Sequence, residues 1–198
     1  MTYFWLDQTT DKRYNEGRAF SYGQGEDLVN YTAQGANRDT FISLGFTEVQ
    51  IAERPDDRFY WVSGPDNKGQ YQATPKQLDD STDPDTGVVT QGLKTQWKLQ
   101  DKQQVNSLLS SSDWMVTRKA ETNIDIKPEW EQYRSTIRTT GPIRRNQIND
   151  VKTVAELEAL VTNPAFIPDP KDERKQIVNP KPHLSPWPDV PVINQLNN

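Results

Sequence analysis

Residues 128–138 read Pro-Glu-Trp-Glu-Gln-Tyr-Arg-Ser-Thr-Ile-Arg, and this stretch decides the fold of the larger part of the chain. Its large apolar side chains, Trp130, Tyr133 and Ile137, recur at i, i+3 and i+7, which is the spacing of one face of an α-helix. Pro128 suits the first turn of a helix, because the N–H groups of that turn have no partner within the helix. The stretch therefore predicts an amphipathic helix with an aromatic face.

Further helices are predicted on both sides of this one. Apolar residues between positions 93 and 109 fall on one helical face, and three serines followed by Asp113 end the pattern. Residues 114–117 form a brief apolar run that is expected to be extended. The central helix is expected to end at the Gly-Pro pair at positions 141 and 142. Thr153 and Glu156 form a capping box that starts another helix. Residues 93–162 are therefore predicted to be a helical module.

The first part of the chain, residues 1–78, shows strand patterns instead. Residues 3–6 form a β-prone run, and a brief helix is predicted over residues 37–45. Residues 46–51 and 59–62 are β-rich and flank a Pro-Asp-Asp turn, so they are predicted to pair as a hairpin. A second strong turn at 64–69 leads to a further strand. These signals predict a small antiparallel β-rich domain with one short helix.

Two stretches lack regular periodicity. Residues 79–92 are rich in Asp and are predicted to be an acidic linker. Residues 163–198 hold eight of the 14 prolines and are predicted to be an extended arm, with Phe166, Leu184 and Trp187 as its anchors on another surface. The alternative is an arm that folds back on its own domain. The predicted fold class is therefore α+β, with a β-rich domain, a linker, a helical module and a proline-rich arm.

The composition excludes several classes of function. Lys and Arg number 23 against 28 Asp and Glu, and the net charge of −5 disfavours nucleic acid as a partner. The chain has no Cys, and it has no apolar run near the roughly 20 residues that span a membrane. A secretory signal is not expected at the N-terminus. Only 33% of the residues are hydrophobic, so we expect small cores and dependence on protein partners.

Reactive chemistry is scarce, and no catalytic, cofactor-binding or metal-binding residue and no small-molecule substrate is expected. Asp85-Thr86-Gly87 matches the aspartic-protease triplet, but its acidic surroundings favour a polar turn. The neighbouring aspartates could collect Ca²⁺, although a solvated linker is the favoured interpretation. His183 is the only histidine, and it lies in the predicted arm without a Ser or Asp constellation.

Two other sets of side chains allow more than one interpretation. The aromatic residues of the helical module could form a carbohydrate platform or a small core, and the core is favoured; they are Trp97, Trp114, Trp130 and Tyr133. The arginines near the central helix could meet an acidic neighbour or lie on a solvated face, and the solvated face is favoured; they are Arg134, Arg138, Arg144 and Arg145.

One motif resembles a known family. Residues 107–121 read SLLSSSDWMVTRKAE, and they are followed by IKPEW at 126–130 and by YRSTIR at 133–138. The pattern is similar to the tail assembly chaperones and tail-fibre assembly proteins of tailed phages. Residues 41–49 and 54–60 resemble the N-terminal parts of related phage proteins, and the Pro-Trp segment near residue 187 is also typical of them. The motif residues are Asp113, Trp114, Arg118, Trp130, Tyr133 and Arg134.

The resemblance implies assembly or structure without catalysis or a cofactor. Trp114 is expected to pack against Trp130 and Tyr133 and so make a strand–helix clip that binds other proteins. The β-rich domain and the arm suit a permanent part of the tail, baseplate, fibre attachment or neck. The expected protein is therefore a virion structural protein, made in the host cytoplasm and present in many symmetric copies among other phage proteins. The alternative is a tail-fibre assembly chaperone that is absent from the finished particle.

Overall fold

The structure is a computed structural model and describes residues 2–191. It confirms the α+β class, with antiparallel strands in the first part and most of the helix in the second. The chain divides into two compact units that part between Pro75 and Lys76, three residues before the predicted boundary. The arm residues 192–198 lie outside the described part.

From residue 2 to its end, the first unit holds seven short strands and one α-helix. The elements are β1 (Tyr3–Asp7), β2 (Lys12–Tyr14), β3 (Phe20–Tyr22), β4 (Val29–Tyr31), α1 (Arg38–Ser43), β5 (Thr47–Gln50), β6 (Tyr60–Ser63) and β7 (Gln72–Pro75). Strands β1, β2 and β5 form a sheet in the order β2-β1-β5, and β3–β4 and β6–β7 are separate antiparallel pairs. A short 3₁₀ turn covers Gly25–Asp27.

The predicted strand at residues 3–6 and the predicted short helix are confirmed. Asn37 caps α1, because its side-chain oxygen accepts a hydrogen bond from the Thr40 N–H at 3.0 Å. The predicted hairpin between residues 46–51 and 59–62 is wrong. Strand β5 pairs with β1, and β6 pairs across the 64–69 turn with β7. Sequence adjacency does not fix strand partners here, since pairing β5 with β1 brings both beside the aromatic core.

That core is almost entirely aromatic. Phe41 of α1 is fully buried. The centroid of its ring lies 5.5 Å from that of Trp5, 5.3 Å from that of Phe20 and 5.8 Å from that of Phe46. The indole N–H of Trp5 donates to Glu16 Oε1 at 2.9 Å, so its polar atom is satisfied. A few large rings therefore stabilise a unit whose strands are only three to five residues long.

The described part of the second unit, up to residue 191, contains four helices and two hairpins. Strands β8 and β9 pair, as do β10 and β11, and α2 packs along α4. The elements are β8 (Ser81–Thr82), β9 (Val89–Thr90), α2 (Leu93–Ser110), α3 (Asp113–Thr122), α4 (Pro128–Asp150), α5 (Val154–Thr162), β10 (Phe166–Asp169) and β11 (Asp172–Val178). The starts of α2, α4 and α5 confirm the sequence prediction.

Two predictions about the helices are wrong. Residues 114–117 are not extended but belong to α3, which ends at Asn123 in the left-handed conformation. The central helix α4 does not stop at Gly141 but continues to Asp150. A Cβ at Gly141 would lie 2.9 Å from Val105 of α2, so glycine serves close helix packing here. Pro142 is exposed, and its cost to the helix is offset by the packing of the residues around it.

The acidic stretch is structured and joined to the helical module. Hairpin β8–β9 precedes α2, and the Asp80 carboxylate accepts hydrogen bonds from the Gly92 N–H at 2.8 Å and from Thr95 Oγ1 at 3.0 Å. The Leu93 N–H donates to the Gln77 carbonyl at 2.9 Å. The stretch therefore differs from the predicted linker and fixes the start of α2.

The Thr153 cap of α5 gives a first prediction. Thr153 Oγ1 accepts a hydrogen bond from the Glu156 N–H at 3.1 Å, which satisfies one of the free donors of the first turn. Thr153→Ala is expected to lower the free energy of unfolding by about 1 kcal/mol. A urea titration measures this change. Thr139→Ala, at an exposed position within α4, is the matched control and should cost no stability. Equal losses in the two variants would contradict the capping role.

Candidate functional site

The corner between α2 and α3 is held by one arginine of α4. Arg134 Nη1 donates to the Leu109 carbonyl at 3.0 Å and to Ser112 Oγ at 2.6 Å, and Nη2 donates to Asp113 Oδ1 at 2.8 Å. Arg134 is buried, and Asp113 is its ion-pair partner. The arginine therefore binds one carbonyl in the last turn of α2, that of Leu109, and fixes where α3 begins.

Buried side chains of α3 and α4 form the apolar core of the second unit. Trp130 and Tyr133 meet edge to face with their ring centroids 5.6 Å apart, and Met115 and Ile137 complete the buried cluster. Burial raises the pKa of the Tyr133 hydroxyl above its usual range. Met115, not Trp114, supplies the α3 side of the core. Because α3 is helical, the Met115 side chain points toward the core. The motif therefore forms a corner of three helices, α2, α3 and α4.

Trp114 lies on the surface, so its predicted packing against Trp130 and Tyr133 is wrong. Its side chain is 53% exposed, and the Arg118 guanidinium carbon lies 4.9 Å from the centre of one of its rings. These two residues and Thr117 occupy positions i, i+3 and i+4 of α3 and share one side of the helix. We call Trp114, Thr117 and Arg118 the Trp114 face.

Among residues 2–191, no carboxylate lies within ion-pair distance of Arg118, and the Nε atom of this side chain is buried without a hydrogen-bond partner. The next residue behaves differently. Lys119 forms ion pairs with Asp125 at 2.9 Å and with Glu131 at 3.4 Å, and the hydrogen bond to Asp125 raises its pKa. The Trp114 face therefore presents an aromatic ring and a cation that an outside carboxylate can pair.

The predicted arm folds back on its own helical module. Its first part is the β10–β11 hairpin, in which Phe166 is half-exposed and lies opposite Val178. Leu184 then donates its N–H to the Leu160 carbonyl at 3.0 Å, and Trp187 packs on the core beside Gly141. Leu184 and Trp187 are thus anchors within the chain, which corrects their predicted contact with another surface. We call residues 183–187 the strap.

A buried arginine holds the strap. Arg144 Nη1 donates to the Ser185 carbonyl at 2.6 Å, and its guanidinium carbon lies 4.4 Å from the centre of a Trp187 ring. Arg144 Nε donates to Asp101 Oδ1 at 2.7 Å, and Arg145 Nη1 reaches the other oxygen of Asp101 at 3.3 Å. Arg134 and Arg144 therefore do not lie on the solvated face that the sequence suggested. Each meets an aspartate within this unit.

The structure also places the other residues that the sequence singled out. Asp85-Thr86-Gly87 lies in the turn of the β8–β9 hairpin, and His183 Nδ1 lies 2.9 Å from the Lys181 carbonyl. Trp97 lines an open groove of about 620 Å³ beside the strap, together with Gln100, Gln104 and Leu184. The part of the chain that the structure describes holds no group of three or more His, Cys, Asp or Glu side chains placed for a metal ion.

Comparison with protein-family models, with curated proteins and with solved structures gives no match to this chain. Within residues 2–191, none of the helices is both long enough and apolar enough to span a membrane.

The sequence singled out some of these residues and missed others. Arg134 was part of the motif, but its contacts with the end of α2 were not predicted. Asp101 was missed, although it falls on the apolar side of α2, four residues after Trp97 and four before Val105. A charged residue at such a position signals a buried ion pair and could have revealed the contact with α4.

Proposed function

We propose that this chain is a non-enzymatic structural protein of a tailed-phage particle, in the tail, baseplate, fibre-attachment or neck region. It makes protein–protein contacts through the Trp114 face and occurs in symmetric copies among other phage structural proteins. The observation that carries the proposal is the surface position of Trp114 within a motif whose other aromatic residues are buried. The likeness of that motif to phage assembly proteins supplies the biological setting.

The physical argument is that the face is rigid before a partner arrives. Arg134 fixes the start of α3, and Met115 holds the helix on the core. A tryptophan on such a support loses little conformational freedom on binding, and Trp and Arg are the residues that dominate binding energy at interfaces. A rigid exposed tryptophan beside a cation that no carboxylate among residues 2–191 pairs therefore suits a protein–protein contact.

The test is to count this chain in purified particles. Quantitative mass spectrometry of gradient-purified phage should find it at a fixed copy number relative to the capsid and tail-tube proteins. In a phage that carries Trp114→Ala, we expect a loss of at least tenfold in incorporation. Ile143→Ala is the matched control, since Ile143 is also half-exposed but lies on α4. Absence of the wild-type chain from particles would overturn the virion proposal.

A second candidate is a tail-fibre assembly chaperone that leaves before the particle is finished. One observation favours it: the strap lies on its own module, so these residues are not free to lace neighbouring subunits together. The same mass spectrometry separates the two candidates. A chaperone is abundant in the infected-cell lysate, bound to a fibre protein, and missing from the particle.

A further inference from the structure

We infer that the partner of the Trp114 face is the β8–β9 hairpin of a second copy of this chain, so that copies associate head to tail. The inference rests on the proposed function, because it names the partner of the same face. Three features of the second unit carry it: the chemistry of the hairpin tip, the charge on the Trp114 face and the distance between the two.

The hairpin tip combines acidic and apolar groups. Val88 and Val89 are both more than half exposed, and Asp85 lies at the turn with no hydrogen-bond or ion-pair partner for its carboxylate among residues 2–191. Asp83 shapes the turn, because its Oδ1 accepts the N–H groups of Asp85 and Thr86 at 2.9 Å each. Those two N–H groups, Thr86 first, hold the pKa of the Asp83 carboxyl below its usual range.

The two surfaces are complementary. The hairpin offers a carboxylate next to exposed valines, and the Trp114 face offers a guanidinium next to an exposed ring. Asp85 pairing with Arg118 would satisfy both charges, while Val88 covers Trp114 and removes apolar area from water.

The two surfaces lie at opposite ends of α2. The hairpin is bound to the first turn of α2 through Asp80, and α3 begins three residues after the last residue of α2. A helix of 18 residues is about 27 Å long, so one chain cannot bring its own hairpin onto its own Trp114 face. The contact must join two copies, and a contact between different surfaces repeats from copy to copy. It closes into a ring or grows into a filament.

A single contact of this kind is weak. A hairpin tip buries less than the roughly 1,200 Å² of a stable complex, so association should be reversible and should increase with protein concentration. Repetition around a ring or an assembling particle strengthens such contacts without new chemistry.

The test is complementation between two charge reversals, measured on the full chain by sedimentation velocity over a range of concentrations. Wild type is expected to associate. Asp85→Lys and Arg118→Glu alone should each weaken association at least tenfold, because like charges then meet. An equimolar mixture of the two variants should associate again, because each introduced charge meets its opposite on the other variant. Arg138→Glu, on an exposed part of α4, is the matched control and should associate like wild type. Circular dichroism verifies that every variant is folded.

Three results would overturn the inference. They are a monomeric wild type at every concentration, a reversal that leaves association unchanged, and a mixture that does not recover. These results are independent of the particle count. A monomeric chain that still enters particles through Trp114 would show that the face binds a different phage protein. A chain that associates but is absent from particles would overturn the proposed function and leave the head-to-tail contact standing.

Discussion

Trp130→Ala is expected to lower the free energy of unfolding of the helical unit by about 3–5 kcal/mol. Trp130 is only 4% exposed, and its ring meets Tyr133 edge to face within the cluster that also holds Met115 and Ile137. Alanine would leave a cavity that the helices α3 and α4 cannot close without losing their other contacts. Urea unfolding followed by circular dichroism at 222 nm measures the change.

Trp114→Ala is the matched control for that experiment. The two tryptophans belong to the same motif, but the Trp114 side chain is 53% exposed. The contact described for its ring is with the Arg118 guanidinium. Its replacement is expected to change stability by less than about 1 kcal/mol, which is the range for an exposed cation–π pair. Similar losses in both variants would mean that Trp114 belongs to the core.

Asp101→Ala is expected to lower the free energy of unfolding of the helical unit by about 3–5 kcal/mol. The Asp101 side chain is 2% exposed, and its two oxygens accept from Arg144 at 2.7 Å and from Arg145 at 3.3 Å. Its removal leaves the Arg144 guanidinium buried with only the Ser185 carbonyl and the Trp187 ring. A buried charge without its counter-ion costs far more than an ion pair contributes. The same urea titration applies.

Asp79→Ala provides the comparison with a surface pair. Asp79 contacts Lys94 at 3.0 Å, but its side chain is largely exposed, so the pair is screened by water. We expect the free energy of unfolding to change by less than about 1 kcal/mol.

In the Asp101 variant the amide hydrogens of the strap should also exchange faster with solvent, because Arg144 no longer has a fixed position. An Asp101 variant as stable as the Asp79 variant would show that the buried network does not stabilise the fold.

Local signals in the sequence were enough for much of the fold. The aromatic spacing of Trp130, Tyr133 and Ile137 predicted α4, and the capping box at Thr153 predicted α5. Each of these two predictions uses residues that lie within two helical turns of each other. The helix at residues 114–117 was missed because a four-residue apolar run fits a strand as well as a helix, and the choice depends on Arg134, 20 residues away.

Contacts between distant residues could not be predicted in this way. The strap was predicted as part of an extended arm on a neighbouring surface, because its prolines exclude helix and central strand. Extended backbone can equally lie on a helical surface of its own unit. The carbonyl of Ser185 and the ring of Trp187 meet Arg144 some 40 residues earlier in the chain. Likewise the partner of β5 is β1, whose residues lie more than 40 positions earlier in the chain. Trp114 was expected to pack on Trp130 and Tyr133 because residues 114–117 were predicted to be extended, whereas they are helical.

The strap also has a consequence for the order of events during synthesis. Residues 183–187 leave the ribosome after helices α2 to α5, and until then Arg144 lacks the Ser185 carbonyl and the Trp187 ring. A domain that needs such a late segment cannot finish folding while that segment is still in the exit tunnel. The first unit, complete by Pro75, has no such requirement. Emergence of residues 183–187 from the exit tunnel is therefore the step that allows the helical unit to close, and a chain stopped before Trp187 would expose part of its core.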